Sequence, residues 1–389
     1  MIRPAFLSDP ALVAILDVLP DARVVGGAVR DALAGRTVAD IDLATPSRPA
    51  EVAAALTQAG IRSVPTGLAH GTLTAIIGNQ SFEITTLRRD VETDGRHAVV
   101  AFTDDWREDA ARRDFTINAM SMTRDGTVYD YFGGQADLAA GIVRFVGDPT
   151  TRIAEDYLRI LRFFRFFARY GGTPDAAAIA AIRHGVPGLA GLSVERVWTE
   201  LSRILAAPDP GDAVDLMAEL GVLPALLPEG TNAPGLARLL AAGAPNDSLL
   251  RLAALLTGDA LVVATRLKLS AAERDRLIAL RQSCSLVPAA DDAALRRALA
   301  DTDRAVLVGR TWLAGGDQPG WAGLRARLNR MPHPVFPLEG RDVLALKISP
   351  GPRVGALLRA VRAWWLERGC VDGPEACRAT LAALAPVDR

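Results

Sequence analysis

The pattern of apolar and polar positions changes character near residue 148. Before it, helical and strand-like runs alternate. "DPALVAILDVL" reads as a helix and "ARVVGG" as a short strand ending in glycines. "AVRDALAG" reads as a helix ended by Gly35, "IDLAT" as a strand, and "PAEVAAALTQAG" as a helix stopped by Gly60. "GTLTAIIGN" and "SFEITTL" are β-rich runs around a Gly-Asn turn, which is a hairpin signal. "TVYDYFGG" and "GIVRFVG" add short strands. After "GDPTTRIAED" helix follows helix, rich in Ala, Leu and Arg, with Pro and Gly punctuation at "AAPDPGD", "LLPEGTNAPG" and "MPHPVFPLEG". The expectation is an α+β protein with a small mixed-sheet head at 1–147. An all-helical remainder follows, divided into a neck at 148–206, a body at 207–275 and a tail at 276–389.

Composition narrows the partners. The 389 residues are too many for one simple core. The net charge of −1 leaves no global field to draw the chain to nucleic acid, so any basic surface must be local. One such surface stands out. From Arg304 to Arg368 there are eleven Lys or Arg against four acids, Asp317, Glu339, Asp342 and Glu367. Only Lys268 and Lys347 are lysines, and the Arg that replace them donate bidentately to phosphate. An Arg-rich chain is also what a GC-rich genome produces. Cys284, Cys370 and Cys377 form no paired motif, which argues for a reducing compartment and against a zinc knuckle. The four histidines, His70, His97, His184 and His333, form no local metal motif. No charged leader with a long apolar stretch and no 18-residue apolar run occurs, so the expectation is a cytoplasmic protein without membrane contact.

The chemistry concentrates in "VVGGAVRDALAGRTVADIDLAT". In a strand, residues i and i+2 face one way, so Asp40 and Asp42 are expected to present two carboxylates side by side. Such a pair is retained where a cation meets it, and hard oxygen ligands suit Mg²⁺. Glu83, in an apolar β run, is the candidate third carboxylate. The glycines of "GGAVRD" allow close backbone approach at a helix start, where a phosphate is favoured, and Arg30 is expected in the first turn of that helix. A lone DxD also occurs on solvated strands, and a lone Gly-Gly is usually a turn. Their combination at this spacing is far more specific. His70 in "LAHGTL" reads as a turn or packing residue.

"EDYLRILRFFRF" is the second informative stretch. Read as one helix, it places Asp156, Arg159, Arg162 and Arg165 on one face and Leu158, Leu161 and Phe164 or Phe167 on a separate stripe. By itself this also suits a salt-bridged, solvated helix. A carboxylate accepting beside a guanidinium donating can, however, mimic a Watson–Crick edge. Cytosine and adenine both offer an amino donor beside a ring-nitrogen acceptor, whereas guanine and uracil do not.

These stretches resemble the class II CCA-adding tRNA nucleotidyltransferase and bacterial poly(A) polymerase family. The likeness continues through "HGTLT", "EITTLR", "RRDFTINAM", "DYFGGQADLAAGIVRFVGDP", "RIAEDYLRILRFFRF" and "LSVERVWTEL", over about residues 20–205, and less distinctively at "PLEGRDVLALKISPGPRVGALLRAV". The resemblance implies a polymerase-beta-like head, with Asp40 and Asp42 as ligands of Mg²⁺, two ions during catalysis, and Glu83 as the third carboxylate. Gly26, Gly27 and Arg30 would hold the triphosphate. Arg113 would contact the nucleotide, and Asp114 and Asn118 would shape the ribose side. Asp156 and Arg159 would select CTP and ATP without a template, oriented by Glu155. Arg162 and Arg165 would complete the nucleotide site, and Arg196 and Glu200 would brace the neck helices.

The implied reaction is addition of CCA to the tRNA 3′ end from CTP and ATP, with pyrophosphate released and no obligate protein partner. Within the family the alternatives are poly(A) addition or addition of only CC or only A. The Gly-Arg-Arg-Phe-like run of the poly(A) polymerases is missing after the DxD. "RRDVETDGRHAVVAFTDDW" resembles the flexible loop that full CCA enzymes use to switch from C to A, with "GRH" where many relatives have Arg-Arg-Pro. A non-catalytic RNA-binding relative would be expected to lack a DxD carboxylate, and a small-molecule nucleotidyltransferase would not need the basic tail. In that tail Trp364 and Trp365 read as core residues rather than base-stacking platforms.

Overall fold

A computed structural model describes residues 4–68, 71–93 and 98–385. His70, His97 and the "GRH" tripeptide at 95–97 lie outside the described residues. The chain forms two compact units, 1–228 and 229–389.

The first unit is built on a mixed sheet. Its strands are β1 (Arg23–Val25), β2 (Asp42–Thr45), β3 (Arg62–Gly67), β4 (Thr72–Ile77), β5 (Gln80–Thr86), β8 (Met120–Met122) and β9 (Val128–Asp130), in the order β3-β4-β5-β2-β1-β8-β9. Only β2 and β5 run parallel. The expected hairpin is β4–β5, with Ile77 opposite Gln80. Alternation sorts the two faces. Val24, Leu43, Leu73, Ala75, Phe82, Ile84, Met120 and Met122 join one buried core with the helices Pro10–Val18 and Pro49–Gln58. Asp42, Thr74 and Glu83 therefore point to the opposite face.

The segment resembling the flexible loop forms, in its described part, a two-stranded ribbon of β6 (Arg88–Thr93) and β7 (Ala98–Phe102). Two expectations are corrected here. "GIVRFVG" makes only an isolated bridge, Phe145 to Phe115, and adds no strand to the sheet. The second correction concerns the neck. Instead of one helix there are two, Pro149–Glu155 and Leu158–Tyr170, broken at Asp156 with φ −157° and ψ 107°.

The Leu158–Tyr170 helix is buried more widely than a stripe. Leu158, Ile160, Leu161, Phe163, Phe164, Phe166 and Phe167 are all enclosed. Phe163 stacks against Phe145 and Phe167, and Phe115 lies 4.7 Å from Phe145 between ring centroids, so aromatic packing fastens the neck to the head. The arginines occupy the narrow face that remains.

The second unit is all helical among its described residues, from Ala233–Ala241 to Pro374–Leu384. Trp365 is buried there, with its indole N–H on the Asp372 carbonyl, as expected of a core residue, and Trp364 packs against the same cluster. Much of the tail's basic surplus serves the fold. Arg304 donates to the Asn329 and Met331 carbonyls, Arg310 to Ala279 and Gln282, Arg327 to Ala290 and Asp292, and Arg362 to Ala300 and Asp301.

Candidate active site

Asp42 opens β2, opposite Val25 of β1 and Glu83 of β5. Asp40 is not in the strand. Pairing stops at Asp42 because β1 ends at Val25 and the chain turns through Gly26 into the helix Gly27–Leu33. Asp40 therefore lies outside the i, i+2 alternation of β2, yet Asp40 and Asp42 still line one recess of about 930 Å³. Glu83 does not line it. It stands in register beside Asp42 on the neighbouring strand.

Partial loss of water within the recess raises the Asp42 pKa. The negative charges of Glu83 and Asp40 push it the same way, and Arg113 opposes them. Crowded like charges of this kind are relieved by a cation. Among the described residues no three His, Cys, Asp or Glu side chains form a metal cage by themselves. Two carboxylates whose other ligands come from water and phosphate are the usual Mg²⁺ arrangement, so the residues fit such an ion.

Gly26 and Gly27 form the recess wall at the start of the 27–33 helix. Gly26 has φ 65° and ψ −121°, and a Cβ there would stand 2.9 Å from Arg113 Nη1. Because that helix has only two turns, Arg30 closes its first turn, as expected, and also opens its last. Arg30 is buried and donates to Asn118 Oδ1 and Asp31. Arg113 reaches the Asn118 carbonyl at 3.4 Å and Asp109 at 3.2 Å.

Asp114 joins head to neck. It accepts from the Phe115 amide at 2.9 Å, from Asn118 Nδ2 at 3.0 Å and from Arg162 Nε at 2.7 Å. Burial alone would raise its pKa. The Arg162 charge and these hydrogen bonds overcome that and hold it below the usual carboxylate range.

The break at Asp156 separates it from the arginine row. Its Oδ1 accepts from the Leu158 amide at 3.0 Å, capping the second neck helix, and its Oδ2 pairs with Arg196 at 2.6 Å. Arg159 pairs instead with Glu155 and donates to the Arg152 carbonyl. Arg165 pairs with Glu200 of the helix Val194–Leu205. Burial, opposed by Glu200, brings the Arg165 pKa down to about 10. Asp156, Arg159, Arg162, Arg165 and Arg196 all line the same recess as Asp40 and Asp42. Sequence reasoning left out Asp31, Phe166, Arg169, Tyr170 and Arg203, which also line it. Asp31 lies within "GGAVRD", next to Arg30, and Tyr170 ends the neck helix.

The chain matches the family model "Poly A polymerase head domain" over residues 22–144 and "Probable RNA and SrmB- binding site of polymerase A" over 173–233. It is 38% identical to the mouse mitochondrial CCA tRNA nucleotidyltransferase 1 over 364 residues, covering 89% of this chain and 83% of that protein. The chain belongs to the CCA-adding tRNA nucleotidyltransferase and poly(A) polymerase family. The CCA-adding enzyme of Geobacillus thermodenitrificans is 39% identical over 215 residues, 54% of this chain and 52% of that one. The fold matches a crystal structure of the Bacillus stearothermophilus CCA-adding enzyme in complex with CTP with a TM-score of 0.76. That match is at 27% identity and covers 96% of this chain and 98% of that one. Nucleotidyltransferases of this family generally use divalent metals. Among the described residues no helix is long and apolar enough to cross a membrane.

Proposed function

We propose that this CCA-adding family member extends the tRNA 3′ end with C, C and A from CTP and ATP. One observation carries the reading: the Asp40 and Asp42 carboxylates and the Asp156, Arg159, Arg162 and Arg165 set share a single recess of about 930 Å³. That volume suits a nucleoside triphosphate beside an RNA end. The 3′-hydroxyl attacks the α-phosphate, a new O3′–P bond forms, and the bond to the β-phosphate oxygen breaks to release pyrophosphate. Asp40 and Asp42 would hold Mg²⁺, two ions during catalysis, with Glu83 as the third carboxylate acting beside Asp42. When bound, the metal neutralises triphosphate charge and makes the attacking hydroxyl more acidic.

The chain's own groups do the rest. Gly26, Gly27 and Arg30 present the phosphate subsite. Arg113, Asp114 and Asn118 form the sugar side. Asp156 offers an acceptor and Arg159 a donor, and each is tethered by a separate partner, Arg196 and Glu155. Cytosine and adenine satisfy both groups, whereas guanine and uracil leave them mispaired. Arg162 and Arg165 complete the nucleotide wall. In the four-part division the head at 1–147 does the chemistry and the neck at 148–206 reads the base. The body at 207–275 and tail at 276–389 hold the RNA largely by shape and phosphate charge. The three free cysteines support a reducing, cytoplasmic setting.

The test uses purified protein, a tRNA ending at the discriminator base, and each nucleoside triphosphate singly and together, with products sequenced at the 3′ end. Addition of CCA followed by arrest is expected. A long A tract, a stop at CC, or addition of A alone would reject the assignment in favour of the corresponding alternative.

A further inference from the structure

Tyr170 is the last residue of the Leu158–Tyr170 helix, and its hydroxyl donates to Asp31 on the short head helix. The same Asp31 oxygen accepts from Arg30 Nε at 3.0 Å and lies 2.9 Å from Arg30 Nη2. Arg30 Nη1 donates to Asn118 Oδ1. The guanidinium also lies over two rings, with 4.6 Å to the Tyr170 centroid and 5.0 Å to that of Phe166. Arg36 sits 5.0 Å from the Tyr170 centroid as well and donates to the Arg169 carbonyl at 2.7 Å.

We propose that Tyr170 and Asp31 are positioning residues for nucleotidyl transfer, a latch that fixes Arg30 with two N–H groups free for the triphosphate. The count follows from guanidinium chemistry. Arginine has five N–H donors. Asp31 engages the one on Nε and lies 2.9 Å from Nη2 as an ion pair, and Asn118 engages one on Nη1. Among the described residues, at least one N–H on each terminal nitrogen is left for the triphosphate. Arg30 is 9% exposed, so its long side chain is already ordered before substrate arrives. A donor ordered in advance loses less freedom on binding and needs no reorganisation as charge develops. Burial pushes the Tyr170 phenol pKa above its ordinary value, so the hydroxyl remains a donor to Asp31; Arg30 opposes that shift and Asp31 adds to it. The latch also joins the neck helix to the head helix, so the phosphate subsite and the base-reading helix share one fixed register.

The inference rests on the reading of Arg30 as a phosphate ligand, and the experiment separates the two. Tyr170→Phe keeps the ring over Arg30 and removes only the hydroxyl. Binding of CTP and of CMP to the full chain is measured with Mg²⁺ present, for wild type, Tyr170→Phe and Arg30→Met. The latch predicts that Tyr170→Phe weakens CTP about tenfold, the scale of one hydrogen bond in a charged network, and leaves CMP within about twofold. ATP should follow CTP, with the preference for C and A over G and U unchanged. Asp31→Asn should give a loss of the same kind, and the double variant should lose little more than either single one. Unchanged CTP binding in Tyr170→Phe, or an equal loss for CTP and CMP, overturns the latch, and a CTP-specific loss in Arg30→Met then leaves the phosphate reading standing. If Arg30→Met itself shows no CTP-specific loss, the phosphate role of Arg30 fails and the latch fails with it.

Discussion

Replacing Asp114 with Asn tests the junction between head and neck. The substitution preserves shape and removes one charge. Arg162 then faces a neutral amide, although it retains a third of its side-chain surface in water while Asp114 is almost enclosed. Breaking a fully buried pair by removing one partner costs about 3–5 kcal/mol. Water reaching Arg162 moves the expectation to about 2–3 kcal/mol. For a unit of this size that lowers the transition midpoint by roughly 5–10 °C. Calorimetry on the full chain at pH 7, following the transition that CTP binding shifts, reads the loss.

The pH dependence gives the sign. The folded pKa of Asp114 is depressed, so its contribution is fully present above the ordinary carboxylate value near about 4 and is lost as pH falls through the folded one. The gap between wild type and Asp114→Asn should therefore be constant from neutral pH to about 5 and should close in stronger acid. Other carboxylates titrate in both proteins and largely cancel in the difference. A variant as stable as wild type at pH 7, or a gap that persists unchanged at pH 3, would refute this account of the junction.

Asp42→Asn should abolish incorporation of every nucleotide while tRNA binding, measured by filter retention, persists; surviving turnover with CTP would remove Asp42 from the metal site. Asp156→Ala should relax base choice more than it lowers tRNA affinity, and an unchanged ratio of CTP to UTP incorporation would end its base-reading role. Gly26→Ala forces a side chain into a glycine-only conformation and against Arg113. It should cost about 1–3 kcal/mol and raise the KM for CTP, so a neutral outcome by thermal melt and kinetics would contradict the backbone geometry.

The head was legible because its strands alternate cleanly. Leu43 and Asp42 fall on opposite faces for the same reason that Phe82 and Glu83 do, and the sequence carries that period openly. Strand alternation predicts Asp40 beside Asp42 on one face, but β2 begins only at Asp42, opposite the last residue of β1. "EDYLRILRFFRF" has helical periodicity throughout, and so predicts one continuous neck helix. Nothing local announces that Asp156 turns its carboxylate back to the Leu158 amide. Arg196, forty residues away, holds the other oxygen. The basic tail shows the converse limit. Counting charge found the surplus, but only tertiary contacts reveal that Arg304, Arg310, Arg327 and Arg362 are committed to carbonyls and acids of their own unit.

Five arginines of the recess share one property that bears on selectivity. Arg30, Arg162, Arg165, Arg159 and Arg196 are each held by a carboxylate, from Asp31, Asp114, Glu200, Glu155 and Asp156 in turn. Several pairs join separate elements: Arg162 ties the neck helix to the head, and Arg165 and Arg196 tie the neck segments to the helix Val194–Leu205. Ion pairs taken out of water add little net stability, because desolvation offsets their attraction, but they penalise wrong registers heavily. A site that selects a base without a template needs that penalty. A wall of apolar residues could be as stable and still accept several arrangements. A wall of matched charges has one arrangement in which every group is paired, and under the proposed function an incoming base edge would meet groups that cannot readily move to accommodate it.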